Sequence, residues 1–290
     1  MRVSLRVILV ALVVVTALAM RINTLVSTGA KTITLDEAIK QKIVTAKFTG
    51  LGGHSGNCVQ MQLTNNKNKD LTIVLPAGTM FEPGDAEAQN ILMPQEQLMV
   101  LKGGEKKGMK VRGFCCQASD KSPSAEMDFV LSYNDDAKMK QLYNFVKGKK
   151  YNDAVLQDAV WALSDDHSVS NVYGPDVRPL REELCKIKGT SDTWYSTPQH
   201  HTVDAEGRIS HETVQVTGLI KFKAAKAGKI MSEIHDATGK LVTKNPNGLS
   251  FPAGNIEYEF NIKVGGWEKG SYTVHLINNG EEIHKQEFKI

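Results

Sequence analysis

Between Ile256 and Val264 the chain alternates without a break. Ile256, Tyr258, Phe260, Ile262 and Val264 fall on one side, and Glu257, Glu259, Asn261 and Lys263 on the other. A period of two gathers the apolar side chains on one face of an extended strand; a helix would scatter them. The same rhythm returns in Tyr272, Val274 and Leu276, in Val59, Met61 and Leu63, and in Leu71, Ile73 and Leu75. Leu98–Leu101, Met109–Phe114 and Met127–Tyr133 continue the series. Turn residues separate these runs: the polar cluster Asn65–Asp70, Pro76 with Gly78, Gly103-Gly104, Ser122-Pro123 and the hairpin dipeptide Asn279-Gly280. The expected fold class is therefore mainly β. Residues 31–134 read as an antiparallel β-sandwich and residues 213–290 as an immunoglobulin-like β-sandwich.

Between these lies a stretch of different character. Met139, Leu142 and Val146 recur at helical spacing, with Asn134-Asp135 as cap and Gly148 as stop. Asn152-Asp153 opens a second helix through Leu156, Ala159, Val160 and Leu163, and Pro179 a third through Leu180, Leu184 and Ile187 to Gly189. Three short helices rarely hold alone, so this block is expected to pack on the first sandwich, giving a domain over 31–188. Residues 189–212 are polar and irregular and read as a linker, with Trp194 and Tyr195 docking on a neighbouring domain.

The N-terminus reads as an address. Arg2 and Arg6 precede an apolar run from Val7 to Met20, broken only by Thr16, and Ala17-Leu18-Ala19 supplies small residues for cleavage. The run is shorter than the roughly 20 residues a spanning helix needs, so residues 1–19 are expected to be a cleaved secretory signal. No Cys follows the run before Cys58, so no lipid anchor is expected there. The net charge is +3, and the two arginines of the signal account for most of it. A chain this close to neutral has no basic stripe for nucleic acid. An exported protein, extracellular or at the cell surface, with the periplasm as alternative, is the expected localisation, without a membrane span in the mature chain.

Export permits disulfides. Cys115 and Cys116 are adjacent on a strand and point to opposite faces, so one of them pairing with Cys58 is open, with two buried free thiols as the alternative; Cys185 is the fourth cysteine. No Cys or His spacing suits zinc. His200, His201 and His211 lie in a polar segment without ligand spacing, and no metal or cofactor is expected. Gly52-Gly53-His54-Ser55-Gly56 lacks the lysine of a phosphate loop and reads as a strand connection. Asp165-Asp166-His167 sits at a helix end, where such residues are usually solvated, and Asp135-Asp136 read as caps rather than calcium ligands. No catalytic residues are expected.

Two stretches resemble known families. Asp236-Ala237-Thr238-Gly239-Lys240-Leu241-Val242, Gly270-Ser271-Tyr272-Thr273-Val274, Asn279-Gly280 and the closing Lys285–Ile290 with Phe288 follow one another in a characteristic order. They resemble the C-terminal sorting domains of cargo of the type IX secretion system of Bacteroidetes-type bacteria. That resemblance implies a partner in the secretion machinery and a C-terminal sandwich serving export or attachment. Gln157-Asp158-Ala159-Val160-Trp161 resembles the Q-x-A-[IV]-W signature of thioester domains in bacterial surface adhesins. That resemblance implies an internal thioester between Gln157 and an upstream cysteine, Cys58 by chain order, with Cys115 and Cys116 as other donors. The expected function is a non-enzymatic binding or adhesion protein, recognising a cell-surface ligand; the alternative is a covalent adhesin using the Cys58–Gln157 thioester.

Overall fold

A computed structural model describes residues 31–290, so the expected signal at 1–19 lies outside the described residues. The alternating runs become strands and the chain is mainly β: an N-terminal β region with a small helical block, then an immunoglobulin-like β-sandwich. Contacts divide it into two units. One comprises the described residues through Ala46 with Gln62–Leu75 and Gln97–Gly108; the other comprises Lys47–Met61, Pro76–Glu96 and Met109–Ile290.

In the first unit β1 (Lys31–Thr34) runs parallel to β4 (Leu71–Leu75), which pairs antiparallel with β7 (Gln97–Leu101). A helix, α1 (Leu35–Lys40), follows β1, where the alternation reading has only strand. Thr34 caps it by accepting from the Glu37 N–H at 3.3 Å. Asp36 and Glu37 lie at its N-terminal end and Lys40 at its last turn, each favourable to the helix dipole. Six residues bury only Leu35 and Ala38, too few to declare a helical period. Buried Asn65 ties the next two turns together. Its Nδ2 donates to the Lys69 and Lys102 carbonyls at 2.9 Å, and its Oδ1 accepts from the Lys67 N–H at 2.9 Å.

Six strands close into a barrel in the order β2 (Val44–Leu51), β3 (Ser55–Asn65), β8 (Lys106–Cys115), β6 (Ile91–Leu92), β5 (Thr79–Pro83) and β9 (Ala125–Tyr133), with β9 returning to β2. Alternation specifies which face of each strand is buried but not whether the last strand finds the first, so closure is the feature the period could not announce. Phe48, Phe81 and Phe129 pack together, with ring centroids 5.3 and 6.5 Å apart.

The helical block holds α2 (Ala137–Val146), α3 (Asp153–Ser164), a 3-10 turn (Val169–Asn171) and α4 (Arg178–Lys188). Asp136, one residue beyond the expected cap, accepts from the Lys138 and Met139 N–H groups at 2.9 Å. Asn152 caps α3 through the Val155 N–H at 2.8 Å, and α4 ends on Gly189 at φ +69°. Helices of this length are marginal in isolation. Their apolar stripes bury Leu142, Leu156, Val160, Leu180 and Leu184 in one cluster with Phe114 and Cys116. Each such side chain contributes about 1.5–3 kcal/mol on full burial.

The segment expected as a linker, 189–212, is a correction. It contains β10 (Tyr195–Ser196), β11 (Gln199–Val203) and most of β12 (Ile209–Thr213), and β11 and β12 form a hairpin. Among residues 199–213 only Ile209 is buried, so no apolar alternation marks these strands.

The C-terminal sandwich has two sheets. One is β10–β13 (Gln215–Ala224)–β16 (Gly254–Lys263); the other is β15 (Leu241–Phe251)–β14 (Gly228–Asp236)–β17 (Ser271–Asn278)–β18 (Glu281–Lys289). Phe222, Ile234, Phe260, Val274, Leu276 and Phe288 meet between them. Trp194 and Tyr195 dock here: the indole Nε1 donates to the Glu287 carbonyl at 2.6 Å, and the Tyr195 hydroxyl accepts from the Lys289 N–H at 2.9 Å. β10 lies over Gly218, where a Cβ would stand 2.5 Å from the Trp194 carbonyl oxygen.

Candidate functional site

α3 presents two faces of chemistry within five residues. Gln157 is buried at 1% exposure and lies along the end of β8. Its Oε1 accepts from the Cys115 N–H at 3.1 Å, and its Nε2 donates to the Cys115 carbonyl at 2.8 Å. The same Cys115 N–H points at the His54 carbonyl, 2.9 Å away. Gln157 thus meets the Cys115 backbone. Cys58, the donor implied by chain order, instead directs its thiol to the Gly113 carbonyl at 3.5 Å.

All four cysteines are buried free thiols, so Cys58 forms no disulfide with Cys115 or Cys116 here. Burial pushes the Cys58 and Cys116 thiols up to about 12 and raises Cys115 well above the usual thiol range. These thiols are protonated at neutral pH.

One turn along the same helix, fully buried Trp161 is surrounded by imidazoles. His54 stacks on it from the β2–β3 turn at 5.7 Å between ring centroids. His167 tilts against it at 5.9 Å, and His201 and His211 meet it edge-on at 5.1 and 4.8 Å. Among the described residues the indole Nε1–H has no hydrogen-bond acceptor. His201 and His211 are cross-strand partners, which aims both rings at α3. His200, which precedes His201 on the same strand, is exposed.

The proton positions follow from the contacts. His211 Nε2 lies 3.3 Å from the Ala118 carbonyl and so donates to it. Its Nδ1 then accepts from His201 Nδ1 at 2.9 Å. That leaves His201 Nε2 facing the Asp158 carboxylate at 3.4 Å. Burial lowers the His54 and His167 imidazoles and takes His211 down to about 4. Burial also raises the Asp158 carboxyl, against the opposing pull of His201. Among the described residues no three His, Cys, Asp or Glu side chains are placed to hold a metal ion. Asp165 accepts from the Ala118 N–H at 2.7 Å and Asp166 pairs with Lys188 at 2.6 Å, so His167 is the member of that triplet that joins the cluster.

The sequence reading left His54 and His167 apart from His201 and His211. Their separations carry no shared period; the usable signal was the turn Asp204–Gly207 midway between His201 and His211, which sets them opposite each other.

The residues of the sorting resemblance occupy turns and one seam. Asp236 Oδ1 accepts from Thr238 N, Thr238 Oγ1 and Lys240 N at 2.9, 2.6 and 3.0 Å, closing the β14–β15 turn with Gly239 at φ +84°. These bonds hold the Asp236 carboxyl below its ordinary range, the Thr238 hydroxyl contributing most. Asn279 and Gly280, at φ +50° and +83°, form the β17–β18 turn. Gly270 exchanges both backbone bonds with Ile290, and Tyr272 stacks on Phe288 at 5.6 Å.

No protein-family model and no curated protein matches the chain. Among solved structures it is similar to red sea bream transglutaminase, with 9% identity and a TM-score of 0.20 over 88% of this chain and 33% of that one. It is also similar to Parabacteroides merdae β-glucuronidase with glycerol in its active site, with 9% identity and a TM-score of 0.18 over 83% of this chain and 28% of that one. The chain spans a third or less of the length of these enzymes. Among the described residues no helix is long and apolar enough to cross a membrane.

Proposed function

We propose that the protein is exported and works as an adhesion protein without catalytic turnover, and that Cys115 and Gln157 condense into an internal thioester that captures a surface amine. The observation that carries this reading is the buried contact of the Gln157 carboxamide with the Cys115 backbone, which brings the two residues side by side. In the condensation the Cys115 sulfur adds to Gln157 Cδ. The carboxamide nitrogen departs as ammonia with the thiol proton, leaving an S-acyl bond. An incoming amine then attacks the same carbon, forms an amide and returns the Cys115 thiol. Burial keeps water from the acyl carbon until that amine arrives.

Intact mass tests this directly. The unmodified protein is expected to be lighter by one ammonia than its sequence mass, and to gain one methylamine on incubation with it. A full sequence mass, unchanged by methylamine, would refute the thioester. It would leave the second reading, a non-covalent exported binding protein. That reading is favoured by the fact that both polar atoms of Gln157 already have partners on the Cys115 backbone.

In either case we assign the C-terminal sandwich to export or attachment, on the resemblance carried by Asp236, Gly239, Lys240, Gly270, Tyr272, Asn279, Gly280 and Phe288. Removing residues 191–290 and fractionating the cells checks this. Retention inside the envelope is expected, and continued appearance outside would overturn it.

A further inference from the structure

The β11–β12 hairpin is held against α3 by a contact built largely of titratable rings. His201 and His211 approach Trp161 from the hairpin, and His54 and His167 close the remaining sides. Few charged groups face this cluster. From α3, Asp158 meets His201 at 3.4 Å. At the end of the same helix, the Asp165 carboxylate is taken up by the Ala118 N–H and the Ser164 hydroxyl, and Asp166 by Lys188. Lys188, from α4, also donates to the His167 carbonyl at 2.9 Å and adds positive charge nearby. Asp158 and Asp165 can therefore offset positive charge at His201 and His167, while the charges that act on His54 and His211 are those of the other imidazoles. Any further proton creates like charges on rings whose centroids lie 4.9 to 6.0 Å apart in a half-buried site.

We propose that the cluster is an acid-sensitive latch: at neutral pH it fixes the β11–β12 hairpin to α3, and proton uptake by the imidazoles frees the hairpin while the C-terminal sandwich stays folded. The latch does not depend on whether the thioester forms. The direction of the titrations agrees. A histidine held below its unfolded value of 6.5 binds fewer protons when folded. Its stabilisation is present above 6.5 and lost as pH falls, for His211 across the window from 6.5 to about 4. Asp158, raised by burial, works in the opposite sense, but it is one group against three. Proton uptake on the His211 ring also strips Nδ1 of the lone pair that accepts from His201.

Hydrogen exchange on the full chain, at about pH 7.5 and about pH 5 on either side of the ordinary imidazole value, tests the latch. After correction for intrinsic rates, peptides covering residues 199–213 are expected to exchange about tenfold or more faster at the acid pH, a shift of about 1.4 kcal/mol. Peptides of β14 and β17 are expected to hold their protection. His211→Phe and His167→Gln should each shrink the acid response. Equal protection of the hairpin at both pH values overturns the proposal. So does loss of protection in β14 and β17 in step with the hairpin, or an acid response unchanged in a folded His211→Phe variant. Should a variant fold poorly, the wild-type comparison decides alone.

Discussion

The tie between the uncondensed Gln157 carboxamide and the Cys115 backbone makes a quantitative prediction. Gln157→Leu keeps the side-chain volume but removes both polar atoms, so no large cavity follows. The Cys115 N–H retains the His54 carbonyl at 2.9 Å, while the Cys115 carbonyl loses the donor that reached it at 2.8 Å. A buried carbonyl stripped of a partner costs about 1–3 kcal/mol. The apolar gain is small, because the methylenes of Gln157 are already buried. A net loss of about 2 kcal/mol raises the opening of the β8 end roughly thirtyfold. Exchange of the Cys115 and Cys116 amides, followed site by site in the variant and the parent, reads this directly. Gln157→Glu should be worse, because it sets a buried carboxylate oxygen against the Cys115 carbonyl. Exchange within about threefold of the parent in Gln157→Leu, or a milder effect of Gln157→Glu than of Gln157→Leu, would refute the view that this amide holds the strand end, since even 1 kcal/mol exceeds that factor.

Other consequences are open to measurement. Arg181, with 7% of its side chain exposed, donates to Asp192, Ser196, Thr193 and the Tyr195 carbonyl; Arg181→Met should destabilise the fold by about 3 kcal/mol in urea titration, and Arg181→Lys by less. A thiol reagent at about pH 8 should leave the folded protein's Cys58 and Cys116 untouched, because burial suppresses their thiolates, and should reach them once denaturant is added. Gly218→Ala should unseat β10, seen as loss of amide protection at Tyr195 and Ser196, because its Cβ has no room beside the Trp194 carbonyl.

What could be read in the sequence was whatever a local period or a cap encodes. Asn152 before α3, Pro179 and Gly189 around α4, and the alternation from Ile256 to Val264 all act within a few residues, and the structure follows them. α1 escaped because its two buried positions are too few to show a period. The β11–β12 hairpin escaped because its strands are held by His201 and His211 rather than by an apolar stripe. For the site, the Gln157 pentapeptide lies on the helix that packs against the end of β8. That Gln157 meets the Cys115 backbone while Cys58 turns to the Gly113 carbonyl needed the barrel, which sets the end of β8 beneath α3. Trp161 reads in sequence as one more core aromatic, and only the fold shows four imidazoles around it.

The placement of β10 redraws where the C-terminal module can be cut. Tyr195 and Ser196 supply the third strand of one of its sheets, through Tyr195↔Gly218 and Ser196↔Thr217. A fragment starting at residue 213 would therefore bare the backbone edge of β13, an invitation to pair with another chain. It would also uncover Phe260 and Phe288, against which Trp194 and Tyr195 rest. A protease acting between Thr197 and Thr213 would leave this strand with the helical block and the sheet without it. A fragment meant to stand alone has to begin ahead of Trp194, at the cost to its former neighbour of the carbonyls and carboxylate that neutralise Arg181.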